Sequence, residues 1–81
     1  MKDKRPRPLA DYVTRALTRY FSDLNGEKPS NLYDLVIGQV ERPLLQVIMR
    51  QAESNQSRAA QMLGINRNTL RKKLRQYGLE K

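Results

Sequence analysis

Residues 56–78 read Gln56-Ser-Arg-Ala-Ala-Gln-Met-Leu-Gly-Ile-Asn-Arg-Asn-Thr-Leu-Arg-Lys-Lys-Leu-Arg-Gln-Tyr-Gly78. The spacing predicts a two-turn helix from Gln56 to Leu63, ended by Gly64. Asn66 then caps a last helix from Arg67 to about Tyr77, with Gly78 just beyond its end. A helix-turn-helix needs small residues where the first helix meets the second, and Ala59 and Ala60 supply them. It needs a sharp turn that tolerates positive φ, which Gly64 provides without steric cost. It also needs apolar side chains to close the angle between the helices, and Leu63, Ile65, Leu70 and Leu74 have suitable spacing.

In the last helix Leu70, Leu74 and Tyr77 form an inner stripe. Arg67, Arg71, Lys72, Lys73 and Arg75 are then expected outside. Such a helix suits the major groove, where its N-terminal residues meet base edges and its flanks meet phosphates. Arg67 lies in the first turn, where a guanidinium can bond guanine O6 and N7 together, a contact worth roughly 1–3 kcal/mol of base discrimination. Asn66 can combine capping with a groove contact. Thr69, Arg71, Lys72, Lys73 and Arg75 are the candidate phosphate contacts. Asn55, Ser57 and Arg58 join them from the start of the preceding helix, where backbone N–H groups favour anions.

Upstream, Glu53-Ser-Asn55 is a cap-rich break. Before it, Leu32 to about Ala52 shows a long helical pattern. Leu32, Leu35, Val36, Val40, Leu44, Val47 and Ile48 lie on a broad apolar face, widened by Tyr33, Ile37, Leu45 and Met49. That face is wider than one neighbouring helix would cover, which points to a second subunit. Pro43 lies inside the pattern and removes the hydrogen bond to Gln39, so a kinked but continuous helix is expected. Gly38 lowers helix propensity locally and leaves room for close helix approach. Ser30 or Asn31 is suited to cap the helix. Leu9 to Leu24 is another helix, with Leu9, Val13, Ala16, Leu17, Tyr20, Phe21 and Leu24 on one stripe and Asn25-Gly26 as the stop signal. Residues 1–8, with two prolines and four cations, read as a flexible basic arm. The organisation is therefore 1–8 arm, 9–52 helical dimerisation core and 53–81 helix-turn-helix. The fold class is all-α, a four-helix subunit.

Composition narrows the chemistry. The chain has 81 residues, no cysteine and no histidine. Disulfides, thiolate metal sites and the common nucleophile–base pairs are excluded. The carboxylates form no recognisable catalytic group, so an enzyme is not expected. No cofactor, metal or small-molecule ligand is implied. No apolar run reaches the roughly 20 residues of a membrane span. The net charge is +8 and the sequence pI about 10.3. The charge is unevenly distributed: +3 in residues 1–8, −1 in 9–55 and +6 in 56–81. A basic run is usually a solvated face, but its concentration in the tail motif points to nucleic acid. Arg15, Arg19, Arg42, Arg50 and Lys81 are read as solvated surface.

With these motifs in place, the chain resembles the bacterial Fis family. The resemblance runs over about residues 9–79. Asn55 to Gly78 carries most of it, supported by Leu32-Tyr-Asp-Leu-Val36, Val40-Glu-Arg-Pro-Leu-Leu45, Tyr20-Phe21 and Leu24-Asn-Gly26. It implies an intertwined homodimer that binds and bends double-stranded DNA at degenerate, A/T-rich sites, acting in the bacterial cytoplasm at the nucleoid. Bending fits indirect readout, since compressing the central minor groove is easier in A/T-rich sequence. By matching position, Arg67 is the base-reading residue, and Asn66, Asn55, Ser57, Arg58, Thr69, Arg71, Lys72 and Lys73 are further contacts. Ser57 stands where Thr is frequent, Asn68 where Gly is common, Arg75 for a lysine and Gln76 for a basic residue. RNA polymerase is a further partner implied, with Gln56 and the neighbourhood of Arg58 as its contact. The short proline-bearing arm predicts DNA binding without the recombinase-activating β-hairpin of longer members.

Two other readings fit parts of the chain. The same tail resembles the DNA-binding domain of NtrC-type activators, although no Walker motif is present and the first helix matches Fis. A basic helical RNA-binding module is the other. Against it, most of the four tyrosines and the phenylalanine lie on apolar stripes rather than forming a stacking platform.

Overall fold

The computed structural model describes residues 8–80. Four helices follow in order: α1 Pro8–Asp23, α2 Leu32–Gln51, α3 Gln56–Leu63 and α4 Arg67–Gln76. No strand occurs among the described residues. The all-α expectation holds, and each helix lies within a residue or so of its predicted bounds. Pro8 belongs to α1 rather than to the arm; residues 1–7 and Lys81 lie outside the described residues. The chain divides into two compact units meeting between Ser30 and Asn31.

In the first unit, Pro8 opens α1, a position where its missing N–H costs nothing. Asp11 stands in the first turn, where a carboxylate complements the helix dipole. Thr14 and Thr18 turn their hydroxyls back onto the carbonyls of Ala10 and Thr14, at 2.9 and 2.8 Å. Asn25 (φ 54°) and Gly26 (φ 86°) end the helix in two successive left-handed residues. Glu27 N–H then closes onto the Leu24 carbonyl at 3.1 Å. The Tyr20 and Phe21 rings meet edge to face, 5.8 Å apart. Arg15 lies over the Tyr12 ring at 5.4 Å, so it is not simply solvated. No residue of α1 is buried. A helix of 16 residues is marginal in water when it has only its own contacts.

The second unit holds the core. Leu45, Ala52, Ala59, Ala60, Leu70 and Leu74 are buried, and Ile48, Met49, Leu63, Ile65, Tyr77 and Leu79 pack around them. Helix α2 runs unbroken through Pro43. Leu45, Ile48, Met49 and Ala52 recur at i, i+3, i+4 and i+7, so the rear half of α2 forms the floor under α3 and α4. Leu45, expected at the margin of the apolar face, is its most buried member. Leu44 and Val47, expected at its centre, are 44% and 45% exposed. The reason is angular: neighbours on a helix stand about 100° apart, and only one of Leu44 and Leu45 can face α3 and α4.

The helix ends follow the sequence signals, with two exceptions. Asn31 occupies the N-cap of α2 in the left-handed region (φ 53°) and makes no side-chain cap bond. Glu53 (φ 55°) and Ser54 (φ 66°) form a left-handed pair after α2, which no glycine marks. Ser54 N–H reaches the Met49 carbonyl at 2.9 Å and closes that end. The same closure recurs after α3, from Ile65 to Ala60 at 3.1 Å, and after α4, from Leu79 to Leu74 at 2.8 Å. In these two cases the donor residue is apolar and packs on the core, so the cap and the burial act together.

Candidate nucleic-acid interface

The interface is built by α3, the Gly64 turn and α4. Asn55 takes extended backbone angles, and its Oδ1 accepts from Arg58 N–H at 3.0 Å. This fixes the start of α3, where Asn55, Ser57 and Arg58 are all exposed. Gly64 adopts φ 75°, and its N–H returns to the Ala60 carbonyl at 2.9 Å. A Cβ added there would meet nothing within 4 Å, so the turn requires glycine for its backbone angle rather than for space. Asn66 Oδ1 accepts from Asn68 N–H at 2.7 Å and starts α4. With its Oδ1 so engaged, Asn66 still has its side-chain NH2 as a donor.

Helix α4 is sharply two-sided. Leu70 and Leu74 are fully buried, each worth about 1.5–3 kcal/mol by removal from water. They set the rotation of the helix. Asn66, Arg67, Thr69, Arg71, Lys72 and Arg75 are exposed. Asn68, Arg71, Lys72 and Arg75 line one shallow depression on the outer surface. Asn68 was not among the predicted contacts. Its signal was available, because residues 68, 71, 72 and 75 follow the i, i+3, i+4, i+7 rule of a single face. Residues 54–79 contain no Asp or Glu. The outer surface of α3 and α4 is therefore positive, offset only where Glu80, just beyond α4, meets Arg75.

Two predicted contacts are placed differently from the rest. Lys73 is half-buried and turned towards α2, where its Nζ lies 2.7 Å from Glu41 Oε2. Arg75 is exposed, with its Nε 3.5 Å from Glu80 Oε1. Tyr77 donates its hydroxyl to Glu41 Oε1 at 2.7 Å. Arg42, expected to be merely solvated, lies over the Tyr77 ring at 5.4 Å. The hydrogen bond from Lys73, then that from Tyr77, holds the Glu41 carboxyl below the usual carboxylate range, with burial working the other way. The Tyr77 phenol is raised, first by its hydrogen bond to that carboxylate and then by burial.

Among the described residues no group of three or more His, Cys, Asp or Glu could hold a metal ion. Among the same residues no helix is long and apolar enough to cross a membrane.

The family pattern described as bacterial regulatory protein, Fis family, matches residues 36–77, from the second turn of α2 to the residue that caps α4. A protein of Proteus mirabilis named DNA-binding protein Fis is 55% identical over 73 residues, covering 90% of this chain and 74% of that protein. The protein of the same name in Mannheimia haemolytica is also 55% identical over the same shares. That of Psychromonas ingrahamii is 56% identical. Pattern and relatives together span both the helix-turn-helix and the helices before it, and the chain belongs to the Fis family of bacterial regulatory proteins.

Proposed function

We propose that this protein is a transcriptional regulator that binds duplex DNA as a homodimer, bends it, and acts at the bacterial nucleoid. One observation carries the reading: the exposed face of α4 is strongly basic, with Glu80 beside Arg75 as the acid that meets it, and it belongs to a helix-turn-helix whose turn and caps are formed. Arg67 reads a base edge from the first turn of α4. Asn66 adds a groove contact beside it, and Thr69, Arg71, Lys72 and Arg75, with Asn55, Ser57 and Arg58 from the start of α3, grip phosphates on either side. Phosphate contacts carry no sequence information, so specificity rests on Arg67 and on how readily the sequence between the two recognition helices deforms. Bending costs on the order of 1–6 kcal/mol, offset by the extra backbone contacts it allows. This favours degenerate sites with A/T-rich centres.

The homodimer is supported by what the subunit leaves uncovered. Tyr33, Leu35, Ile37, Leu44 and Val47 of α2 are exposed, and so are Leu9 and Phe21 of α1. A second copy covering these faces would make 9–52 the dimerisation region and 53–81 the DNA-reading unit. Gln56 and the surroundings of Arg58, at the edge of α3, are the surface we assign to RNA polymerase.

Fluorescence anisotropy over a salt series tests the reading. One duplex carries an A/T-rich centre flanked by G and C, and the other is scrambled. Tighter binding to the first with a steep salt slope is expected, and Arg67→Ala should cut the preference by the share owed to base contact, leaving that owed to the deformable A/T-rich centre. No binding to either duplex at moderate salt would contradict it.

A further inference from the structure

Lys73 lies three residues after Leu70 and four before Tyr77, which places it on the inner side of α4. The structure gives it a partner there. Glu41, from the middle of α2, uses its two oxygens separately, one for the Lys73 ammonium and one for the Tyr77 hydroxyl, each at 2.7 Å. The two charged side chains are 18% (Glu41) and 34% (Lys73) exposed. Arg42, one residue on, covers the Tyr77 ring. These three contacts join α2 to α4 directly, while the closest backbone packing is α2 on α3 and α3 on α4. Leu70 and Leu74 alone would tolerate some rolling of α4, since apolar contact is not directional. A carboxylate shared between two donors four residues apart on α4 is directional.

We propose that Lys73 is the cation of a latch rather than a phosphate contact, and that Glu41 is a positioning residue holding α4 at the rotation that presents Arg67, Arg71 and Lys72 outward. The inference rests on the DNA-binding reading above and refines its contact set. The direction of the Glu41 shift agrees with a carboxylate kept ionised by these two donors. If the latch stays closed on DNA, Lys73 releases no counterion from the duplex.

The salt slope of binding separates the latch from a phosphate contact, because each phosphate neutralised contributes about 0.9 to it. The protein binds the A/T-rich duplex unchanged and as Arg71→Gln, Lys73→Gln, Glu41→Gln and the Glu41→Gln/Lys73→Gln pair. Circular dichroism at the binding temperature confirms that each variant is folded. Arg71→Gln should flatten the slope by about 0.9 per bound subunit. Lys73→Gln should leave it unchanged. Glu41→Gln frees the ammonium and should steepen the slope by about 0.9 per subunit, and the double variant should return it to the starting value. A loss of fold stability alone would not produce that pattern. Flattening by Lys73→Gln equal to that by Arg71→Gln would overturn the inference, as would an unchanged slope in Glu41→Gln. No binding by the unchanged protein would remove the DNA-binding reading, and this refinement with it.

Discussion

The two halves of α2 meet opposite fates. Its rear half buries Leu45 and Ala52 against α3 and α4 and completes a closed core. Its front half leaves Tyr33, Leu35 and Ile37 in solvent, and Leu44 and Val47 face away from that core. One helix thus serves as the floor of a finished unit and as the open side of an unfinished one. The difference shows that helix-turn-helix geometry can be set within a single subunit, whereas the apolar surface around it is left open, the surface that a second copy covers in the dimer we propose.

Leu74→Ala offers the sharpest break of that comparison. It removes one of the three largest fully buried side chains, so a loss of about 2–5 kcal/mol is expected. Urea unfolding would show it at every protein concentration. Leu44→Ser should instead act through association, lowering the unfolding midpoint in a way that depends on concentration. Equal, concentration-independent losses for the two variants would end the distinction.

A smaller effect concerns the turn. Gly64→Ala meets no steric obstacle, so its cost is that of a left-handed alanine, about 1–2 kcal/mol. Thermal unfolding should show that loss, with binding retained below the transition. Gly38→Ala is smaller still and sharpens the comparison further. A Cβ there would meet only Tyr77 Oη at 3.9 Å, an ordinary contact. Within the subunit the change should add about 0.5–1 kcal/mol through helix propensity. A destabilisation that grows with concentration would instead reveal another copy packed closely on Gly38.

The acid–base behaviour of the latch should give the mildest effect. Because the Glu41 value is lowered on folding, its contribution is present above the unfolded value near 4.3. It disappears as pH falls through the folded value. The raised Tyr77 value acts in the opposite sense: its contribution is complete below about pH 10 and is lost as pH rises through the folded value. Melting temperatures across pH 3 to 11 should fall less at the acid end in Glu41→Gln than in the unchanged protein.

Much of this was legible in the sequence, for identifiable reasons. Helices α3 and α4 are bounded by local signals, namely Asn55, Gly64, Asn66 and Gly78, and each acts within a turn of the residue it controls. Ala59 and Ala60 announce a close contact by their size. What escaped was long-range or angular. Nothing near Lys73 in sequence points to Glu41, although its i+3 spacing from Leu70 marks it as inward. Leu44 and Leu45 are chemically equivalent, and only the direction of α3 and α4 decides between them. The left-handed pair at Glu53 and Ser54 carries no glycine to betray it. Asn68 was passed over because the motif reading followed charge, while the face it shares with Arg71, Lys72 and Arg75 follows geometry.

The central claim is that the open apolar surface is completed by a second copy, so that two reading units act on one DNA. Sedimentation velocity of a labelled A/T-rich duplex with increasing protein tests it most directly. The account predicts two copies per duplex, and weakened binding when Leu44 and Val47 are both changed to Asp. A single copy bound at full affinity, unaffected by those changes, would contradict it.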